Sequence, residues 1–243
     1  MPSEYRPRIY EHYGTGFQDA PELFDAAAAR RWGRAYDHYL RGWLPRDKGA
    51  AVAELACGRG NMLHFLQERG YINLEAVDLS PEQANLARQV LPSVKEGDAI
   101  AFLEAHQGQF DLIIALDLIE HLKKDEVLRF LDAAYNAMAS GASLILQTPN
   151  AGSPWFGMMR YGDFTHEVCF NANSLRRILS LSGFSSLEIR EAGPIPWGYS
   201  IASSIRAFAW QCIRITYKGM TMTETGAVGD TVYTRNLLAR AVK

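Results

Sequence analysis

The chain has 243 residues, enough for one large α/β domain carrying inserts and too few for two full domains. Hydrophobic residues make up 48% of it, ample for a core, and a net charge of −2 offers no electrostatic footprint for DNA. Three widely spaced cysteines (Cys57, Cys169, Cys212) lack metal-ligand spacing and read as free thiols; with no apolar signal core at Met1–Arg6 and no membrane-spanning run, a cytoplasmic location is expected.

In chain order, Tyr10-Glu11-His12-Tyr13-Gly14-Thr15-Gly16-Phe17 is aromatic and glycine-rich and follows no regular period. It reads either as a lid or as a disordered end. Residues 20–43 carry Leu23, Phe24, Ala27, Trp32, Tyr36, Tyr39, Leu40 and Trp43 at helical spacing, and Pro45–Gly49 is a turn. Residues 1–50 are therefore expected to form a helical cap or lid on a domain spanning 51–243. Apolar runs at 51–56, 73–77, 111–116 and 142–148, with a shorter one at 93–96, predict buried parallel strands. Helical patterns fall at 61–69, 81–90, 99–105, 124–138 and 173–182, with Ser80 placed to cap a helix and Pro81 to fill its first turn. This alternation predicts a doubly wound, mostly parallel sheet. Residues 149–172 and 193–230 stand outside that minimal core. Ligands of such sheets bind beyond the carboxyl ends of the strands, where the first insert emerges.

Val52-Ala53-Glu54-Leu55-Ala56-Cys57-Gly58-Arg59-Gly60 is an apolar run breaking into a glycine turn, and Asp78 closes the next run. The turn lets backbone touch a ligand, and an acid at the second strand tip can accept from both hydroxyls of a ribose. Gly58-Arg59-Gly60-Asn61-Met62-Leu63 does not complete the fingerprint of a dinucleotide site. The stretch Glu54–Gly60 resembles the first motif of class I S-adenosylmethionine-dependent methyltransferases, with Ala56 at the first glycine position. The resemblance continues through Gly97-Asp98-Ala99, Phe110–Ala115 and Ser140–Leu146. It implies a seven-stranded Rossmann-like sheet, its last two strands near 185–191 and 232–241 and the final one antiparallel. It also implies S-adenosylmethionine as cofactor, held by Glu54, Ala56, Gly58, Gly60, Asp78, Leu79, Asp98 and Ala99, with Asp117 near the methionine end.

Methyl transfer to a hydroxyl needs a base or a metal, because an alcohol is a poor nucleophile at neutral pH. Asp117-Leu118-Ile119-Glu120-His121 follows the fourth strand; in a first helical turn its acids and imidazole share one face. The segment resembles the Glu-x-x-Glu-His element of metal-dependent O-methyltransferases of ubiquinone biosynthesis and of small-RNA 2′-O-methyltransferases. That likeness implies a cation (Mg2+ or another divalent ion) on Asp117, Glu120, His121 and His166, the last from Asp163-Phe164-Thr165-His166-Glu167. In metal-free relatives Glu120 would instead brace the turn and His121 pack near the sulfur. His166 is then the candidate base, with Asp163 orienting it or capping its loop. Trp155, Phe156, Met158, Met159, Arg160 and Tyr161 suit a binding wall or a loop core.

Ile201, Ile205, Phe208, Cys212 and Ile215 form one apolar helical face beside Arg206, Arg214 and Lys218. Such a face packs on its own domain, on a second copy, or peripherally on a membrane. Gly193-Pro194-Ile195-Pro196, Glu224-Thr225-Gly226 and Tyr233–Leu237 look like the tail of methyltransferases of bacterial surface-polysaccharide and glycan pathways. The expectation is thus O-methylation of a sugar or glycan hydroxyl. Another small-molecule or RNA hydroxyl or amine, or a non-catalytic partner subunit of the same fold, are the alternatives.

Overall fold

The computed structural model describes residues 5–17, 21–196 and 199–243. Seven strands form its sheet: β1 (Val52–Leu55), β2 (Leu74–Asp78), β3 (Lys95–Glu96), β4 (Phe110–Leu116), β5 (Met138–Pro149), β6 (Ser185–Glu191) and β7 (Asn236–Val242), in spatial order β3-β2-β1-β4-β5-β7-β6. The first five pair in parallel, and β7 runs antiparallel to both β5 and β6. β1 is hydrogen-bonded to β2 on one side and β4 on the other, so the strand order reverses there and a crevice opens at their carboxyl ends.

Side chains alternate along the central strands. Ala53, Leu55, Ile113 and Ala115 face a core built with Leu103, Phe130, Leu131 and Leu175 of α6 (Ala99–Glu104), α7 (Lys124–Ala137) and α9 (Ala172–Leu181). Val52, Leu112 and Ile114 face the opposite core, filled by Tyr36, Leu63, Phe65 and Ala84 of α3 (Ala26–Tyr39), α4 (Asn61–Glu68) and α5 (Pro81–Ala87). Ser80 caps α5 and Pro81 opens it, as the sequence indicates. α3 is thus a layer of the main core rather than part of a cap. Among the described residues of the first 50, Arg6, Tyr10 and Tyr13 from residues 5–17 and Trp32 of α3 line the crevice.

Residues 5–17 form α1 (Tyr5–Tyr10) and α2 (Tyr13–Phe17), which have no readable period because distant contacts hold them. Arg6 clasps Glu126 with both nitrogens at 2.6 Å and donates to the His121 carbonyl at 2.8 Å. Tyr5 donates to the Glu167 carboxylate. Thr15 bonds Glu82 through its amide and its hydroxyl.

The first insert contains α8 (Phe156–Gly162) and returns at Phe170, which bridges to Asn150. Asn150 is fully buried; its side chain donates to the Val232 and Thr234 carbonyls and accepts from the Gly152 amide. That bonding holds residues 232–234 as irregular chain, so β7 starts at Asn236 rather than near 232. The second insert contains the 25-residue α10 (Ile201–Thr225). Ser203, Ala207 and Trp210 are its buried side, whereas Ile201 (83% exposed), Phe208 (73%) and Ile215 (69%) face outward. Among the described residues, no helix is long and apolar enough to cross a membrane.

Candidate functional site at the sheet switch point

A cleft of about 630 Å³ occupies the crevice between the ends of β1 and β4. Glu54, Ala56, Gly58, Asp78, Leu79, Asp98, Ala99 and Asp117 all line it. Gly60 does not. It starts α4 at φ 87°, and a Cβ there would lie 3.1 Å from the Ala87 Cα, so it lets α4 and α5 approach closely.

The Asp78 carboxylate is fixed by the glycine turn itself: Gly58 N–H donates to one oxygen and Ser80 N–H to the other, each at 2.8 Å. Burial nonetheless pushes its pKa up to about 6, since two backbone donors only partly replace water. Glu54 is also buried; burial first, and then the Asp78 charge, raise its carboxyl well above the usual range. One Glu54 oxygen has no hydrogen-bond partner. Asp98 caps α6 by accepting from Ala101 N–H at 2.8 Å, and Leu79 presents an exposed apolar shelf beside Asp78. These groups offer what a nucleoside needs: paired acceptors, a backbone turn and an apolar surface for a ring.

Two non-glycine residues on the cleft wall, Ala56 (φ 51°) and Asp117 (φ 54°), hold left-handed backbone conformations at the ends of β1 and β4. Each costs about 1–2 kcal/mol, and both flank the switch point. The turn at Asp117 separates it from the 3₁₀ turn Ile119–His121, so the single helical face expected for Asp117, Glu120 and His121 does not form. Asp117 is instead bound to Gln147: Gln147 Nε2 donates to its carboxylate at 2.9 Å, and Tyr36 donates to Gln147 Oε1 at 2.8 Å. Burial raises the Asp117 pKa to about 6. The roles of Gln147 and Tyr36 were not legible in the sequence, where both read as ordinary strand and helix positions.

Glu120, His121 and His166 do converge, each placing a ligand-type atom within 4.8 Å of the others. Thr165 Oγ1 donates its one hydrogen to Asp163 at 2.6 Å, so at 2.8 Å from His121 Nδ1 it must accept. His121 therefore carries its hydrogen on Nδ1. His166 Nδ1 lies 2.9 Å from the Met159 carbonyl, which can only accept, so His166 is the same tautomer. Both Nε2 lone pairs are left for another group. Neither Glu120 carboxylate oxygen has a hydrogen-bond partner, and burial followed by the Asp117 charge holds its pKa well above the ordinary range. Burial and the neighbouring His166 press the His121 pKa down to about 4, keeping that ring neutral.

The pairing of Asp163 with His166 anticipated from the sequence is not observed. Asp163 supports His121 through Thr165 and accepts from Tyr13 at 2.7 Å, while a backbone carbonyl orients His166. Met158 and Met159 line the cleft as expected, but Trp155 lines a separate cavity, and Arg160 donates to the Glu167 carbonyl. Arg6, Tyr10, Tyr13 and Trp32 are wall residues supplied by the amino-terminal segment and α3. His12, His38, His64 and His106 lie outside the wall.

Residues 24–189 match the Methyltransferase domain family. The chain is 29% identical over 146 residues to the small RNA 2′-O-methyltransferase of Mus musculus, covering 53% of this chain and 37% of the relative. It is 28% identical over 111 residues to the ubiquinone biosynthesis O-methyltransferase of Psychrobacter cryohalolentis, covering 42% of each. The chain thus spans well under half the length of these curated relatives. A SAM dependent methyltransferase from Archaeoglobus fulgidus superposes with a TM-score of 0.64 at 19% identity, covering 98% of this chain and 100% of that one, and so shares its fold. With the family matched across two thirds of the chain and the cleft at the switch point of the sheet, the chain belongs to the methyltransferase domain family.

Proposed function

We propose that the chain is an O-methyltransferase acting on a hydroxyl of a sugar or glycan intermediate. One observation carries the choice of a hydroxyl: two imidazoles and the unpartnered Glu120 carboxylate bring a ligand-type atom each within 4.8 Å of one another, and the bonds at both Nδ1 atoms leave each Nε2 unspent. An amine acceptor needs less help of this kind. The sugar reading draws support from Tyr10 and Tyr13 on the cleft wall, which offer ring faces, and from the tail likeness at 193–196 and 224–237. The curated relatives name RNA and ubiquinone precursors as neighbouring chemistries; a net charge of −2 disfavours RNA.

Glu54, Gly58 and Asp78 would hold the nucleoside, and the sulfonium would lie toward Asp117. In the transfer, the methyl carbon bonds to the acceptor oxygen while the carbon–sulfur bond breaks. The electron pair stays on sulfur, giving S-adenosylhomocysteine. His166 Nε2 is placed to take the hydroxyl proton, and Met159 holds the ring so that this nitrogen stays a base.

The same three residues fit a divalent cation. A buried carboxylate without donors and two imidazoles with fixed tautomers are what a bound ion requires, and Thr165, Asp163 and the Met159 carbonyl supply the outer bonds. Two nitrogens and one carboxylate suit Mn²⁺, Fe²⁺ or Zn²⁺ better than Mg²⁺, which prefers oxygen. When bound, the ion would lower the pKa of a hydroxyl in its coordination shell. Asp117 is outside this group. Prolonged chelation tests the point: activity lost and then restored by Mn²⁺ or Zn²⁺ makes His166 a ligand, and activity retained makes it the base. A screen of sugars, nucleotide sugars, quinols and RNA with isotopically labelled donor tests the acceptor. Labelling of RNA or a quinol alone would overturn the sugar reading.

A further inference from the structure

A second cavity, of about 590 Å³, lies between α3, residues 192–195, the first half of α10 and residues 234–235. It shares no lining residue with the methyl-transfer cleft. Four aromatic side chains, Tyr39, Trp155, Tyr199 and Trp210, and two arginines, Arg206 and Arg235, line it, with no acid among them. The Trp155 and Trp210 rings lie 5.8 Å apart at 35°, and the Arg235 guanidinium is 5.9 Å from the Trp155 centroid. Among the described residues, neither arginine has a carboxylate within ion-pair distance.

The hydrogen-bond inventory is one-sided. Tyr39 donates its hydroxyl hydrogen to the Gly193 carbonyl, Ser203 to the Ile195 carbonyl and Thr234 to the Asn236 carbonyl. Those bonds brace the walls and consume their hydrogens. The Trp210 indole N–H is buried, with the residue 9% exposed, and has no acceptor. It lies beside Gly193, where a Cβ would make ordinary contact with the nitrogen at 3.7 Å and press on the Thr234 methyl at 3.0 Å. The cavity therefore offers two guanidiniums, one unspent N–H and the surface of two tilted indoles. A buried donor without an acceptor is costly, and an arginine fork matches phosphate oxygens in pairs.

We propose that this cavity binds a phosphate-bearing ligand whose ring packs on the Trp155–Trp210 pair. A soluble sugar phosphate and the headgroup of a lipid-linked one share this chemistry. The inference does not depend on the acceptor proposed above, and its test omits the methyl donor. Calorimetry with UDP-glucose serves for the soluble source, and cosedimentation with equimolar phosphatidylcholine–phosphatidylinositol vesicles for the lipid source. Each would be run on the full chain and on Arg235→Ala, Arg206→Ala and Trp210→Phe.

Binding of either probe should weaken about tenfold or more in Arg235→Ala, the size of one charge-assisted hydrogen bond. Trp210→Phe, which keeps the ring but removes the N–H, should weaken it by about threefold to tenfold. UDP-glucose binding assigns the soluble source; vesicle binding alone, lost in Arg235→Ala, assigns the headgroup. Failure of both probes to bind overturns the proposal. So does vesicle binding that survives both arginine changes and is lost in Phe208→Ser, which would place the contact on the outer face of α10 instead.

Discussion

The two ends of the methyl-transfer cleft are built differently. The end proposed to hold the donor is local: Gly58, Asp78 and Ser80 come from adjacent strand tips, and their bonds span two to twenty residues of chain. The acceptor end is assembled from far apart, with Tyr13 on Asp163, Arg6 on Glu126 and Thr165 on His121. A strand tip is fixed by the sheet whether or not ligand is present. The acceptor end exists only while several separate segments stay docked. Cofactor recognition should thus tolerate disturbance of the inserts, and turnover should not.

Changes to the paired imidazole–carboxylate group test this contrast most severely. Glu120→Gln and His166→Ala should each lower kcat by about 10²–10⁴-fold while calorimetry finds donor affinity within about threefold of wild type. Equal loss of both would mean the two ends are not separable. Asp78→Ala should do the reverse, weakening donor binding by about a hundredfold or more with the fold intact by circular dichroism, because it removes both ribose acceptors. Unchanged affinity would remove Asp78 from the site.

A smaller effect comes from the titration of Asp78. Its pKa is raised from 3.8 to about 6 on folding, so between those values the folded state binds more protons than the unfolded one. Stability contributed by this group is therefore greatest below pH 4 and is lost as pH rises through 6. The fall amounts to about 2–3 kcal/mol, and Asp78→Asn should flatten it in the pH dependence of Tm. A slope of opposite sign would show that the carboxyl is not desolvated. The mildest test is Arg6→Ala. It should release α1, raise the acceptor KM several-fold and speed proteolysis at the amino terminus, leaving donor affinity alone. A rise in the donor dissociation constant would place α1 over the wrong end.

What the sequence made legible follows the same division. The glycine turn, Asp78 and the strand alternation are short-range patterns, and the structure contains them; the antiparallel last strand, implied by the family resemblance alone, is present too. Glu120, His121 and His166 were recognisable as residues, but not their arrangement. Their tautomers depend on Thr165 and the Met159 carbonyl, which carry no motif. The helical face expected to join Asp117 to Glu120 and His121 does not form, because a left-handed backbone at a non-glycine residue leaves no mark in periodicity. Gln147 and Tyr36, which hold it, look like core positions. α1 and α2 could not be read at all, since Gly14 and Gly16 weaken any helical signal and the segment is held by residues about 67 to 160 positions away.

Asn150 ties the start of the first insert to the chain that follows the second by two side-chain hydrogen bonds in a fully buried position. The first excursion leaves, and the second rejoins, the sheet at one fastened point. Length and sequence beyond that fastening can drift through evolution without strain reaching β5 or β7. A designer could exchange residues 199–229 as a cassette, keeping the cleft and refashioning the second cavity.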